Sequence, residues 1–375
     1  MKNHLLLILF LSFINAFEYS VAQEFSADIT VGKQFKIYSE IIGEERDILI
    51  SLPFGYDSSN KEYPVIYKMD GSTGGLIVTD GLLKYLSFDS IPEMICAMIP
   101  NTDRGRDLSI FPMDQLPTSG GAGNFLKFIA EELIPYIDEN YRTTDYRIIT
   151  GGSAGGEIVL YSLVKYPDVF DAYIAGSPAM FSAEFLLNEF KNLFINRESL
   201  KKTLIIPTFD RDFTVVVNNI PKLEKIAQDY APRDFQLKTI YHTGKGHVPD
   251  QYLLDGLKAV FHDWKRVKQP EAIPTSGSFP DGETITVELL ADDNEIRYTL
   301  NGDEPTRKSK LYTNNIIVDQ PVTIKAKLFR NNLSESRIQT VNYEKTDDDL
   351  PVALPGNLES GLKYKYFEKR WFYLP

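Results

Sequence analysis

The chain has 375 residues, of which 43% are hydrophobic and 25% charged, proportions of a soluble globular protein with room for one large domain and a smaller one. Its 52 acidic residues outnumber 40 basic ones, giving a formal charge of −12, and no Lys/Arg cluster stands out. Neither a nucleic-acid partner nor an anionic membrane surface is expected, because both attract clustered positive charge.

At the N-terminus, Lys2 and His4 precede the apolar run from Leu5 to Ile14, and Ser20-Val21-Ala22 supplies small residues before Gln23. This reads as a signal peptide over residues 1–22, cleaved after Ala22, which makes the protein exported: periplasmic, secreted or at the cell surface. The apolar run is shorter than the ~20 residues that cross a bilayer, so no stable membrane insertion is expected.

From 23 to 268 apolar runs alternate with helical patterns, the mark of a doubly wound, mostly parallel α/β sheet. Strands are expected near Ile48–Leu52, Val65–Met69, Met94–Ile99, Arg147–Thr150, Ala172–Ala175, Leu204–Pro207 and Gln236–Tyr241. Helices are expected over Ala122–Glu139 and Gly155–Lys165, with a closing one over Tyr252–Val267. Cys96, the sole cysteine, falls in the apolar run Met94–Ile99 and reads as a buried strand thiol; no disulfide can form within the chain. Over 269–344 the texture changes to short alternating strands, among them Glu283–Leu289, Glu295–Leu300 and Val322–Phe329, with turn pairs such as Asn301-Gly302, which predicts a separate all-β sandwich module. An acidic, proline-containing linker opens the last segment, 345–375, whose aromatic end is too short for a core of its own.

The stretch that carries chemistry is Gly151-Gly152-Ser153-Ala154-Gly155-Gly156, set between a β-type run and a helical pattern. A G-x-S-x-G in that context is a nucleophile elbow: the serine sits on a strained strand-to-helix turn that lifts its hydroxyl above the sheet. A serine hydroxyl is a poor nucleophile near neutrality and needs an imidazole to take its proton and a carboxylate to orient that imidazole. Of four histidines, His4 lies in the signal peptide, His242 in or at the end of a strand, and His262 in the closing helix. His247, in the glycine-rich loop after the last strand, stands where the base belongs, with His242 as the fallback. The acid belongs after Leu204–Pro207, where Asp212 and Asp210 compete; the wider offset favours Asp212. Oxyanion donors are expected from the Ala154 amide and from the Asp70–Gly75 turn, with Gly71 or Ser72 in position.

These residues resemble the esterase family of α/β-hydrolases that includes siderophore esterases, S-formylglutathione hydrolase, feruloyl esterases and mycolyltransferases. The resemblance runs from Phe25 to about Lys268. It is carried by Arg46–Pro53 with Tyr56-Asp57, Tyr63–Tyr67 leading to Asp70-Gly71, then Asn101, Arg104 and Arg106-Asp107-Leu108. Ser119–Ala122 with Phe125, and Glu132–Ile137, lead to the elbow. It implies Ser153 as nucleophile, His247 as base, and Asp212 as an acid followed by its helix. One departure stands out. Many members carry His and Ser before a bulky residue in the elbow, whereas Gly152 and Ala154 flank the serine here, which should open the pocket floor slightly. Residues 274–343 look like the small sandwich related to the C-terminal region of chitobiase, with Ile296–Thr306 as its hallmark. A spacer role is the first expectation for it and carbohydrate contact the second. The tail from Gly361 is similar to the opening strand of a PA14-type module, which would make the chain a truncated form.

An exported serine carboxylic-ester hydrolase is thus expected, without metal or organic cofactor, acting on a small-molecule or glycan ester. An acetyl or feruloyl group on a glycan is favoured over a siderophore lactone. An acyltransferase using the same acyl-enzyme and a non-catalytic surface binding protein are the rivals.

Overall fold

The computed structural model describes residues 30–264, 267–291, 295–331 and 334–346. The expected signal peptide and the aromatic tail lie outside the described residues. The chain divides into two compact units, one N-terminal to Val267 and one that starts at Val267 and holds nearly all of the C-terminal strands.

The larger unit is built on an eight-stranded sheet in the order β1-β2-β4-β3-β5-β6-β7-β8. The strands are β1 (Lys33–Ser39), β2 (Glu44–Ser51), β3 (Tyr63–Lys68), β4 (Ile95–Met98), β5 (Thr143–Gly152), β6 (Ala172–Gly176), β7 (Thr203–Arg211) and β8 (Gln236–Lys245). β1 and β2 pair antiparallel, as do β2 and β4; from β4 onward every pairing is parallel. The apolar runs are continuous because the central strands are buried on both faces; every residue of β4 and β6 is buried.

Neighbouring residues therefore serve opposite layers. Tyr67, Ile149 and Tyr173 join one core, while Ile66, Ile148 and Ile174 join the other. The first core is closed by α2 (Ala122–Phe128), a π-helical turn (Ile129–Leu133), α3 (Ile134–Asn140), α4 (Ala154–Lys165), α5 (Ala183–Ile195) and α6 (Thr214–Tyr230). The second is closed by α1 (Thr73–Leu86) and α7 (Tyr252–Val260), through Leu76, Leu83, Leu253 and Leu257. Cys96 lies in this second layer, fully buried, and burial pushes its thiol up to about 12. No helix among the described residues is long and apolar enough to cross a membrane.

β1, α1 and α5 add to the elements expected from sequence, and α6 is the helix that the resemblance implied after Asp212. In α1, three glycines argue against a helix, but burial of Leu76, Leu83 and Leu86 outweighs them, and the Ser72 hydroxyl caps the first turn by accepting from Gly75 N at 3.0 Å. The expected helix over Ala122–Glu139 is present but passes through the π-helical turn just before Pro135. The closing helix ends at Val260, short of Val267, so His262 lies in the turn beyond it.

The smaller unit contains a six-stranded sheet, ordered β10-β17-β15-β12-β13 with β16 beside β15, and a three-stranded sheet, β14-β11-β9. These strands are β9 (Glu271–Ile273), β10 (Gly277–Phe279), β11 (Ile285–Leu290), β12 (Glu295–Thr299), β13 (Lys310–Leu311), β14 (Ile316–Val318), β15 (Val322–Asn331), β16 (Ser334–Glu335) and β17 (Gln339–Lys345). Alternate residues such as Val287, Leu289, Ile296, Tyr298, Ile324 and Val341 point into one shared core.

Candidate active site

Parallel strands bring their carboxyl ends to one edge of the sheet, and every element of the site follows such an end. β5 delivers Ser153, which has φ 55 and ψ −120, a backbone region that ordinary residues avoid. Close approach explains the glycines: a Cβ on Gly151 would lie 2.6 Å from the Gly155 carbonyl group. The turn is tied down by Ser153 N donating to Gly176 O at 2.9 Å and by Ser153 O accepting from Glu157 N and Ala179 N, each at 3.0 Å.

The structure brings Ser153, His247 and Asp212 into one chain of hydrogen bonds. His247 Nε2 lies 2.8 Å from Ser153 Oγ, and His247 Nδ1 lies 2.7 Å from Asp212 Oδ1. An ionised carboxylate can only accept, so the Nδ1 proton faces Asp212 and Nε2 is left to accept from the serine. The Asp212 side chain has 0% exposure. Its oxygens also accept from Phe213 N at 2.6 Å and from the Thr208 hydroxyl at 3.2 Å, and Ser177 Oγ lies 3.2 Å from that hydroxyl. The Phe213 ring packs on the imidazole with centroids 4.5 Å apart.

The other candidates are placed elsewhere. Asp210, on the end of β7, accepts from Gly244 N at 2.9 Å and so pins β7 to β8. His242, on β8, lies 3.0 Å from Asp255 through Nε2, and His262 Nε2 lies 2.9 Å from Asp263.

Of the expected oxyanion donors, Ala154 opens α4, where a backbone N–H has no acceptor within the helix. Gly71 does not fit: its N–H donates to Ile99 O at 2.9 Å because the turn after β3 continues the pairing with the β4 side. Ser72 N faces the Met98 sulfur at 3.4 Å, a weak acceptor that a stronger one can displace. Asp70, at φ 55, begins this turn. Its carboxylate accepts from Asn101 Nδ2 at 2.7 Å and from Arg104 Nε and Nη2 at 2.8 and 3.0 Å.

Two further groups had no role assigned from the sequence. Glu157, buried on α4, accepts from Phe181 N and Ser182 N at 3.1 and 2.6 Å and holds the loop after β6; burial raises its carboxyl above the usual range. Arg46 is fully buried beside the Phe125 and Phe128 rings, 2.8 Å from both Asp107 and Glu44. The Arg106 guanidinium holds the Glu44 carboxyl down to about 2, and the four charges anchor the segment that carries Arg104. Arg46 stands in the charged run Glu44-Glu45-Arg46-Asp47, which reads as a solvated face, and the residues that bury it and complete the cluster, Asp107, Phe125 and Phe128, are distant in sequence.

Comparison with known proteins agrees with this architecture. Residues 39–202 match the family model described as Putative esterase, and residues 274–340 match the Chitobiase/beta-hexosaminidase C-terminal domain. The chain is 46% identical over 65 residues to Ferri-bacillibactin esterase BesA of Bacillus subtilis (strain 168), a stretch covering 17% of this chain and 22% of that protein. The match to a second curated relative, the uncharacterized protein YbbA of the same organism, is 28% identical over 140 residues, covering 35% of this chain and 56% of that one. The match thus spans under two thirds of the length of both. An IroE-like serine hydrolase from Shewanella oneidensis superposes with a TM-score of 0.56 at 25% identity, covering 62% of this chain and 80% of that one. Sheet order, elbow and family match agree: the larger unit has the α/β-hydrolase fold and is similar to esterases over residues 39–202, and the smaller is similar to the chitobiase C-terminal domain.

Proposed function

We propose that the protein is an exported serine carboxylic-ester hydrolase. The observation that carries this reading is the continuous chain from Ser153 Oγ through the His247 ring to buried Asp212, at 2.8 and 2.7 Å. Ser153 Oγ attacks the ester carbonyl carbon as its proton passes to His247 Nε2, and Asp212 holds the imidazolium that forms. The Ala154 and Ser72 amides receive the oxyanion. The intermediate collapses when His247 returns its proton to the departing alkoxide, leaving an acyl-serine. Water, deprotonated by the same imidazole, then releases the acid.

Two substrate classes have support of their own. The similarity to a ferri-bacillibactin esterase favours the ester linkages of a siderophore, and the chitobiase-like module favours an acyl group on a glycan, reached with the module as spacer or as a sugar contact. An enzyme that transfers the acyl group to a sugar hydroxyl would use the same residues. Labelling by a fluorophosphonate probe tests the chemistry: wild type should label and Ser153→Ala should not, with hydrolysis lost to background. Retained hydrolysis in Ser153→Ala overturns the assignment. A panel of siderophore, acetyl and feruloyl esters, with and without sugar acceptors, then separates the substrates.

A further inference from the structure

We propose that Gly152 and Val248 form a matched pair that sets the position of the His247 imidazole, so that Val248 is a positioning residue for the proton transfer assigned above; the inference rests on that assignment. Val248 directly follows His247 and has φ 59. A β-branched residue is a genuine outlier there, and Pro249 behind it restricts its backbone further. The segment is held on two sides, by the His247 hydrogen bonds to Ser153 and Asp212 and by burial of Pro249. Gly152 supplies the third. A Cβ built there would stand 2.8 Å from Val248 Cγ1 and 3.5 Å from Cγ2.

The valine methyl groups therefore occupy the volume that a side chain before the nucleophile would take. The pocket floor is not opened by Gly152, as the sequence suggested; it is filled from the opposite loop. Valine yields poorly to pressure from Gly152, because its χ1 is stiff and a larger movement carries the backbone that bears His247. The residue before the nucleophile and the residue after the base thus share one space, and the strain at Val248 is the means by which that space is occupied.

The test is a double-mutant cycle, with kcat and KM measured on p-nitrophenyl acetate, fluorophosphonate labelling rates, and thermal unfolding as the check on folding. Gly152→Ala should lower kcat by about 10²-fold, the scale of a misplacement near 1 Å, with KM changed by less than about threefold. Adding Val248→Ala should restore at least about tenfold of that loss. A Gly152→Ala chain as fast as wild type, or a folded double variant as slow as the single one, overturns the inference. Val248→Gly, which relaxes the backbone and empties the space, keeps the test independent of how well Gly152→Ala folds. Its kcat should fall about tenfold at unchanged Tm, and an unchanged kcat overturns the pairing. A wild type that neither labels nor hydrolyses overturns the assignment of Ser153 and the inference with it; a wild type that labels beside an unaffected Gly152→Ala overturns the inference alone.

Discussion

Two histidines of the β8 strand and the loop after it each face an aspartate, and their exposures barely differ, at 19% for His242 and 22% for His247. Their partners differ more: Asp255 is 25% exposed and Asp212 is fully buried. The rings are also turned opposite ways. His242 presents Nε2 to its carboxylate and has Gln251 Nε2 3.4 Å from Nδ1, whereas His247 presents Nδ1 to Asp212 and leaves Nε2 for Ser153. A histidine beside a carboxylate is thus not in itself a base. His247 differs in having a carboxylate of 0% side-chain exposure on one nitrogen and the Ser153 hydroxyl on the other, which is the arrangement the proposed proton transfer needs.

The sharpest way to break that contrast is Asp212→Asn, whose amide donor favours the wrong tautomer of His247; kcat should fall by about 10³- to 10⁴-fold, while Asp210→Asn stays within about twofold of wild type. Equal losses in the two variants would remove Asp212 from the site. Arg104→Ala takes both guanidinium bonds from Asp70 and loosens the turn aimed at the oxyanion; we expect kcat to fall about tenfold with KM little changed, since the lost support acts in the transition state. His242→Ala should give the smallest effect: activity within about threefold of wild type in steady-state assays and a loss of about 0–1 kcal/mol in denaturant unfolding, the range of a partly exposed pair. Inactivation of folded His242→Ala would mean that the two pairs work as one.

Much of this site is legible in the amino-acid sequence because its members announce themselves chemically. Gly151–Gly156 carries a backbone requirement, and with His4 in the expected leader and His242 and His262 assigned to regular elements, elimination leaves His247. Spacing favoured Asp212 without deciding it; its contact with His247 and its bonds to Thr208 and Phe213 depend on how β7 ends, which spacing does not reveal. The oxyanion turn misled at Gly71, since a sequence does not reveal that its N–H completes a bond to Ile99. Gly152 was legible as a departure but not as a contact, because Val248 meets it only in three dimensions. The central strands were recognisable from apolar runs, whereas β1 is half-exposed and α1 is rich in glycine, so propensity spoke against what tertiary packing enforces.

Cys96 has no part in this chemistry, yet its placement makes it useful. As the only thiol in the sequence, sealed in a central strand and held mostly protonated by its surroundings, it cannot meet an alkylating reagent while the sheet is intact. Carbamidomethylation at that single position therefore clocks the opening of the central strands. A dye-reactive cysteine introduced on any loop would be the sole fast-labelling site on the molecule, so motion at the His247 loop and opening of the core can be timed separately in one chain.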